Sequence, residues 1–105
     1  MTPEKKVKNK IVAILKKFGA YYFYPVMSGY GSSGVPDLIV CYKSRFVAIE
    51  VKATPKNKPT TLQQKNIDKI NSNGGIAIVV HCDNIESVTK TLEEIELDGD
   101  RQTNR

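Results

Sequence analysis

Apolar residues near the start of the chain recur three or four apart, at Val7, Ile11, Ile14, Leu15 and Phe18, which is the period of a helix with one buried face. Thr2 can cap that helix, Pro3 suits its first position and Gly19 can end it. Lys6, Lys10 and Lys17 fall off the apolar stripe. Tyr21 to Met27 then reads as β-prone, with Pro25 arguing for an edge strand or a bulge. A glycine- and serine-rich loop follows over Ser28 to Gly34. Asp37 to Tyr42 and Arg45 to Lys52 read as two strands joined by a tight turn at Lys43-Ser44. A basic loop containing Lys56, Lys58 and two prolines leads to a second helix from Leu62 to Ser72, stopped at Gly74-Gly75. Ile76 to His81 is an apolar strand. Asp83 and Glu86 fit a capping box for a third helix, whose stripe is Ile85, Val88, Leu92 and Ile95.

The expected order is therefore α-β-β-β-α-β-α: an α/β fold with a mixed central sheet flanked by helices, since the middle strands form a hairpin and the last strand arrives through a helix. A single domain over residues 1–97 and a polar, disordered tail over 98–105 are expected.

Side chains alternate along Arg45 to Lys52, so Phe46, Ala48, Glu50 and Lys52 share one face and Val47, Ile49 and Val51 the other. If Tyr42 pairs with Arg45 across the turn, Asp37 lies opposite Glu50, with Cβ atoms roughly 5 Å apart. Facing carboxylates repel, and a divalent cation of the hard, oxygen-seeking kind would relieve that repulsion. A bulge or an odd-length turn would instead shift the register and separate the acids. Lys52 could offset charge in phosphoryl chemistry, or be a surface lysine at a strand end. Glu4 continues the stripe of Val7 and Ile11, yet acids also favour a first helical turn for dipole reasons. Gln64 fits a capping box with Thr61, and could equally support a site from the second helix.

Charge sharpens this picture. The net charge is +5, but residues 1–69 carry thirteen Lys/Arg against four acids, and residues 70–105 carry three against seven. A basic first two-thirds suits a polyanionic partner as well as a solvated surface. Gly29 and Gly34 have P-loop spacing, but Val35-Pro36 stands where Lys-Ser/Thr is needed, so no nucleotide cofactor is expected. No apolar run of about 18 residues exists to span a membrane, and a cytoplasmic setting is expected. Cys41 and Cys82, both in apolar runs, read as reduced and buried. His81 and Cys82 are neighbours on a strand and cannot easily share a zinc ion.

Val35-Pro36-Asp37, twelve intervening residues and Glu50-Val51-Lys52 resemble the PD-(D/E)xK nuclease superfamily. With Gly34 before this motif, Phe46 to Lys52 around it and Thr60-Thr-Leu-Gln-Gln64 after it, residues 2–81 resemble the virus-type replication-repair nuclease (VRR-NUC) family. The resemblance implies a restriction-endonuclease-like αβββαβ core and Mg²⁺- or Mn²⁺-dependent phosphodiester hydrolysis. It carries over Asp37, Glu50 and the Val51 carbonyl as metal ligands and Lys52 as the catalytic lysine. Gln64 corresponds to the family's glutamine and Glu4 to its first-helix acid. Stand-alone members resemble phage and bacterial proteins acting on branched DNA such as Holliday junctions.

On this reading Lys6, Lys10, Lys56 and Lys58 hold the DNA backbone. A homodimer, paired through the aromatic edge at Tyr21 to Tyr24, supplies the two cuts that a junction needs. The rival is a non-catalytic nucleic-acid-binding module on the same scaffold. It accounts for the basic residues and for tyrosines 21, 22, 24 and 30, but not for Asp37 facing Glu50.

Overall fold

A computed structural model of the chain describes residues 1–26 and 34–103, the last four by their backbone alone. Met27 and the loop through Ser33, to which part of the expected first strand and most of the glycine loop belong, lie outside the described residues. Three helices and four strands follow in the order α1 (Pro3–Phe18), β1 (Tyr21–Phe23), β2 (Leu38–Tyr42), β3 (Arg45–Val51), α2 (Thr61–Ser72), β4 (Ile76–Val80) and α3 (Glu86–Thr103). The sheet order is β1-β2-β3-β4, antiparallel across the first two pairs and parallel between β3 and β4. The expected α/β architecture with a mixed sheet is the one observed.

Local chemistry accounts for the boundaries. Thr2 Oγ1 accepts from the Lys5 amide at 3.1 Å, Pro3 opens α1, and Gly19 closes it in the left-handed conformation, at φ 73°. Lys43 and Ser44 both have positive φ, at 49° and 69°, which is the two-residue turn whose twist matches an antiparallel ribbon. That turn pairs Tyr42 with Arg45, and the register runs without a bulge to Leu38 opposite Ile49. α2 is the crossover that parallel pairing of β3 with β4 requires.

The sheet separates two unequal layers. Val47, Ile49 and Val51 face α1 and α3, where they join Val7, Ile11, Leu15, Val88, Leu92 and Ile95 in the main core. The Tyr42 hydroxyl donates to Glu96 Oε1 at 2.7 Å and ties β2 to α3. On the opposite face α2 packs through Ile67 and Ile70 against Ala48 and Ala77. This small cluster covers the β3–β4 part of that face and reaches Ile39 on β2, but not Cys41 or β1.

Three expectations need correction. The third helix is not capped by an Asp83–Glu86 box. It starts at Glu86, and the turn before it is organised by Asn84, which accepts from the His81 amide and donates to the Val79 carbonyl. α3 continues to Thr103, so the segment expected as a disordered tail from residue 98 is helical as far as 103. Cys41 and Cys82 are exposed, not buried. Cys41 stands on the part of the sheet that α2 does not reach, and Cys82 lies in the turn beyond β4. No helix among the described residues is long and apolar enough to cross a membrane.

Left-handed conformations cost a non-glycine residue about 1 kcal/mol or more. Replacing Lys43-Ser44 by Asn-Gly is expected to stabilise the protein by about 1 kcal/mol and raise its thermal midpoint by roughly 4–8 °C. Scanning calorimetry checks this, and an unchanged or lower midpoint would contradict the turn assignment.

Candidate active site

β3 carries Glu50 onto the face covered by α2, one step beyond Ala48. The carboxylate is 3% exposed, and it is the one buried charged side chain among the described residues. Asp37 lies one residue before β2, so the register that pairs Leu38 with Ile49 places it opposite Glu50. Its Oδ2 accepts from the Val51 amide at 2.8 Å, which anchors the carboxylate against the end of β3.

Lys52 follows at the same side of the strand. Its Nζ lies 3.6 Å from Glu50 Oε2 and donates to Gln63 Oε1 at 2.8 Å. Gln63 Nε2 in turn donates to Glu50 Oε2 at 3.2 Å. Glu50, Lys52 and Gln63 therefore form a closed polar triangle at the first turn of α2. Glu50 Oε1 is buried and accepts no hydrogen bond.

The glutamine in the site is thus Gln63 and not Gln64. Both Thr60-x-x-Gln63 and Thr61-x-x-Gln64 satisfy the capping-box pattern, and the helix uses the first. Gln63 Oε1 accepts from the Thr60 amide at 2.9 Å, while Gln64 is exposed and donates to Asp68. The deciding signal is periodicity: Gln63 continues the stripe of Ile67 and Ile70, whereas Gln64 pairs along a solvent-facing row.

Gly34 helps to set this arrangement. It has φ 81°, and a Cβ there would stand 2.6–2.8 Å from backbone atoms of Leu62 and Gln63. Only glycine lets the segment leading to Asp37 lie against the turn that carries Gln63.

The other expected residues are not gathered here. Glu4 is exposed in the first turn of α1, and among the described residues no three His, Cys, Asp or Glu side chains converge. The expected Glu4–Asp37–Glu50 set is not assembled. Lys6, Lys10, Lys56 and Lys58 are exposed. The last two project from a loop held by Asn57 Oδ1, which accepts from Thr54.

Burial pushes the Glu50 carboxyl up to about 8. The Asp37 carboxyl raises it further through hydrogen bonding to the protonated form and through charge, and Lys52 opposes both. Two acids at close quarters thus retain a proton that a cation could replace. The donor set fits a hard cation of Mg²⁺ type, which takes one or two carboxylates and completes its shell with water and substrate oxygens. The bare Glu50 Oε1 is the observation that supports this fit.

No protein-family model and no curated protein matches the sequence. A solved structure described as a VRR_NUC domain is similar: it is 26% identical, superposes with a TM-score of 0.73, and the match covers 89% of this chain and 97% of that one.

A folded-state carboxyl near 8, against 4.5 for an ordinary one, has a definite consequence for stability. The folded state holds this proton more tightly, so the contribution is full below about pH 4.5 and is lost as pH rises through 8. In EDTA the thermal midpoint is expected to fall from pH 5.5 to 8.5, and Glu50→Gln to flatten that slope. Millimolar Mg²⁺ should restore more stability at pH 8 than at 5.5. Equal pH slopes in wild type and Glu50→Gln would show that Glu50 does not carry the effect.

Proposed function

We propose that the chain, which is similar in fold and sequence to a solved VRR_NUC domain, is a VRR-NUC nuclease: a Mg²⁺- or Mn²⁺-dependent DNA endonuclease acting on branched DNA such as Holliday junctions, in phage or bacterial replication and repair. One observation carries the reading: a buried glutamate, facing an aspartate and adjoining a lysine, has one oxygen that accepts no hydrogen bond from the protein. A module that only binds DNA gains nothing from that costly arrangement, because acids on its binding face repel the backbone.

Asp37 and Glu50 would hold the cation, with the Val51 carbonyl as a third donor. The Val51 amide already meets Asp37, and the amide and carbonyl of one strand residue leave the same edge, so that carbonyl faces the Asp37 side. A divalent cation there would polarise the phosphodiester and lower the pKa of the attacking water. Lys52 is placed to steady that water or the charge that develops on the phosphoryl oxygens. Water then forms the new P–O bond, the ester P–O bond breaks, and the products are a phosphate monoester and a free hydroxyl.

Gln63 positions both charged partners, holding the Lys52 ammonium with its oxygen and the Glu50 carboxylate with its amide. The exposed Lys6, Lys10, Lys56 and Lys58 would contact backbone phosphates, a mode that reads shape and charge rather than sequence. Two matched cuts in a junction need two such sites. A two-fold homodimer is the economical source, with the outer edge of β1, unpaired among the described residues, as its meeting surface.

Plasmid nicking in Mg²⁺ and its absence in EDTA is the primary test. Asp37→Ala and Glu50→Ala are expected to abolish cleavage while sparing fold and DNA affinity. Activity near wild type in purified Glu50→Ala would end the assignment. Lys52→Ala should lose turnover while keeping Mn²⁺ binding by calorimetry. Gln63→Ala should slow cleavage about a hundredfold, and Gln64→Ala should leave it within about threefold. Equal losses in the two glutamine variants would remove Gln63 from its positioning role.

Light scattering at micromolar concentration reports the assembly. A mass near twice the chain's 11.7 kDa is expected. A strictly monomeric mass would defeat the dimer and favour nicking or flap cutting of one strand.

A further inference from the structure

α2 leaves half of its sheet face open, and the open half adjoins the carboxylates. Directly paired residues share a face, so the rows Tyr21–Cys41–Phe46 and Phe23–Ile39–Ala48 lie on the same side as Asp37 and Glu50. Tyr21 is 68% exposed, Phe23 46% and Phe46 47%. Strands stand about 4.8 Å apart, so Tyr21 and Phe46 rise roughly 10 Å from each other with the small Cys41 side chain between them. Along β3, Phe46 lies about 13 Å from Glu50, the length of roughly four stacked nucleotides. On the α2 side of this floor Phe46, Ile70 and Gly75, with the side chains of Lys69 and Asn73 at the border, line a mainly apolar hollow of about 250 Å³.

We propose that this aromatic floor is a binding site for unpaired nucleotides of the DNA strand beside the cut. The inference rests on the nuclease reading of the adjoining carboxylates. A duplex presents sugar and phosphate outward and has no use for exposed rings, whereas an unpaired base offers a π-face that any aromatic ring can stack on. The floor carries no acid, the Lys69 side chain borders it on the α2 side, and along β2 it approaches Asp37 across the partly buried Ile39. These features fit a polyanion with exposed bases better than a second copy of the chain laid across the face, which, unlike a partner joined at the β1 edge, would cover the approach to Asp37. The substrate class narrows accordingly, to branched or flapped DNA with unpaired nucleotides next to the scissile phosphate.

Cys41 reports on this floor directly. In a Cys82→Ser background it is the remaining thiol. In EDTA, where no cleavage is expected, oligothymidylate should slow iodoacetamide alkylation of Cys41 about tenfold, and a blunt duplex should not. By fluorescence anisotropy, Phe46→Ala and Tyr21→Ala should each weaken oligothymidylate binding about tenfold and leave duplex binding unchanged, while Phe46→Tyr keeps the ring and the affinity.

Three results would overturn the proposal: no protection by oligothymidylate, equal protection by duplex, or alkylation that slows with protein concentration alone, which would place a second copy on the floor. Cleavage in Mg²⁺ without Cys41 protection would refute this site and leave the nuclease reading standing. Protection in a wild-type protein inert toward DNA would refute the nuclease reading and leave the site.

Discussion

A carboxylate that is 3% exposed has to be compensated from within the fold, and Glu50 sets the terms for everything around it. Its Oε2 receives the Gln63 amide and the nearby Lys52 ammonium. Its Oε1 receives nothing. Half-compensation of this kind is destabilising in a purely structural setting, because one oxygen loses water without gaining a donor. The arrangement makes sense where a ligand supplies the missing interaction. Asp37 adds to the imbalance, since it raises the cost of ionising Glu50 rather than lowering it. A cation between the two would turn mutual repulsion into shared attraction, and the same cation would hold a phosphodiester oxygen.

The fold enforces that confrontation through a short chain of local constraints. The positive-φ turn at Lys43-Ser44 fixes the β2–β3 register, and without a bulge that register can only place Asp37 across from Glu50. Pro36 and Gly34 bring the chain in at this point. Gly34 does so against the α2 backbone, with no space for a side chain. The crossover from β3 to β4 then returns α2 over the acids, so that its capping residue Gln63 serves both the helix terminus and the site. One side chain thus couples helix initiation to the placement of Lys52, and loosening either end would disturb the other.

Much of this was legible in the residue pattern, for identifiable reasons. The strand period separated Val47, Ile49 and Val51 from Ala48, Glu50 and Lys52, and the two layers follow that split. The two-residue turn gave the facing acids. What the pattern left open were choices between neighbours of the same type. Two overlapping capping boxes differ by one residue, and only the alignment with Ile67 and Ile70 distinguishes them. Asp83 and Asn84 are both good turn formers, and Asn84 prevails because its amide can accept and donate at once. Exposure was the hardest property to read. Cys41 alternates correctly for a sheet interior, but no helix covers that row. Glu4 has the spacing of a buried stripe, yet it lies one turn beyond the point where α1 meets the core at Val7.

That uncovered row shows how one helix can give a sheet face two different surfaces. α2 has twelve residues and rests on the small side chains Ala48 and Ala77, which let it approach β3 and β4 closely. Its footprint therefore ends at Ile39 on β2, short of Cys41 and of β1. On the covered side the sheet presents acids, a lysine and an amide in a low-dielectric pocket, where charge is strongly felt. On the open side it presents rings and a thiol to solvent. A larger residue at position 48 or 77 would lift α2 and carry Gln63 away from Glu50, while leaving the rings of the open side in place. The identity of two alanines thus decides whether the charged half of the face is assembled at all, and the aromatic half is what remains where the helix does not reach.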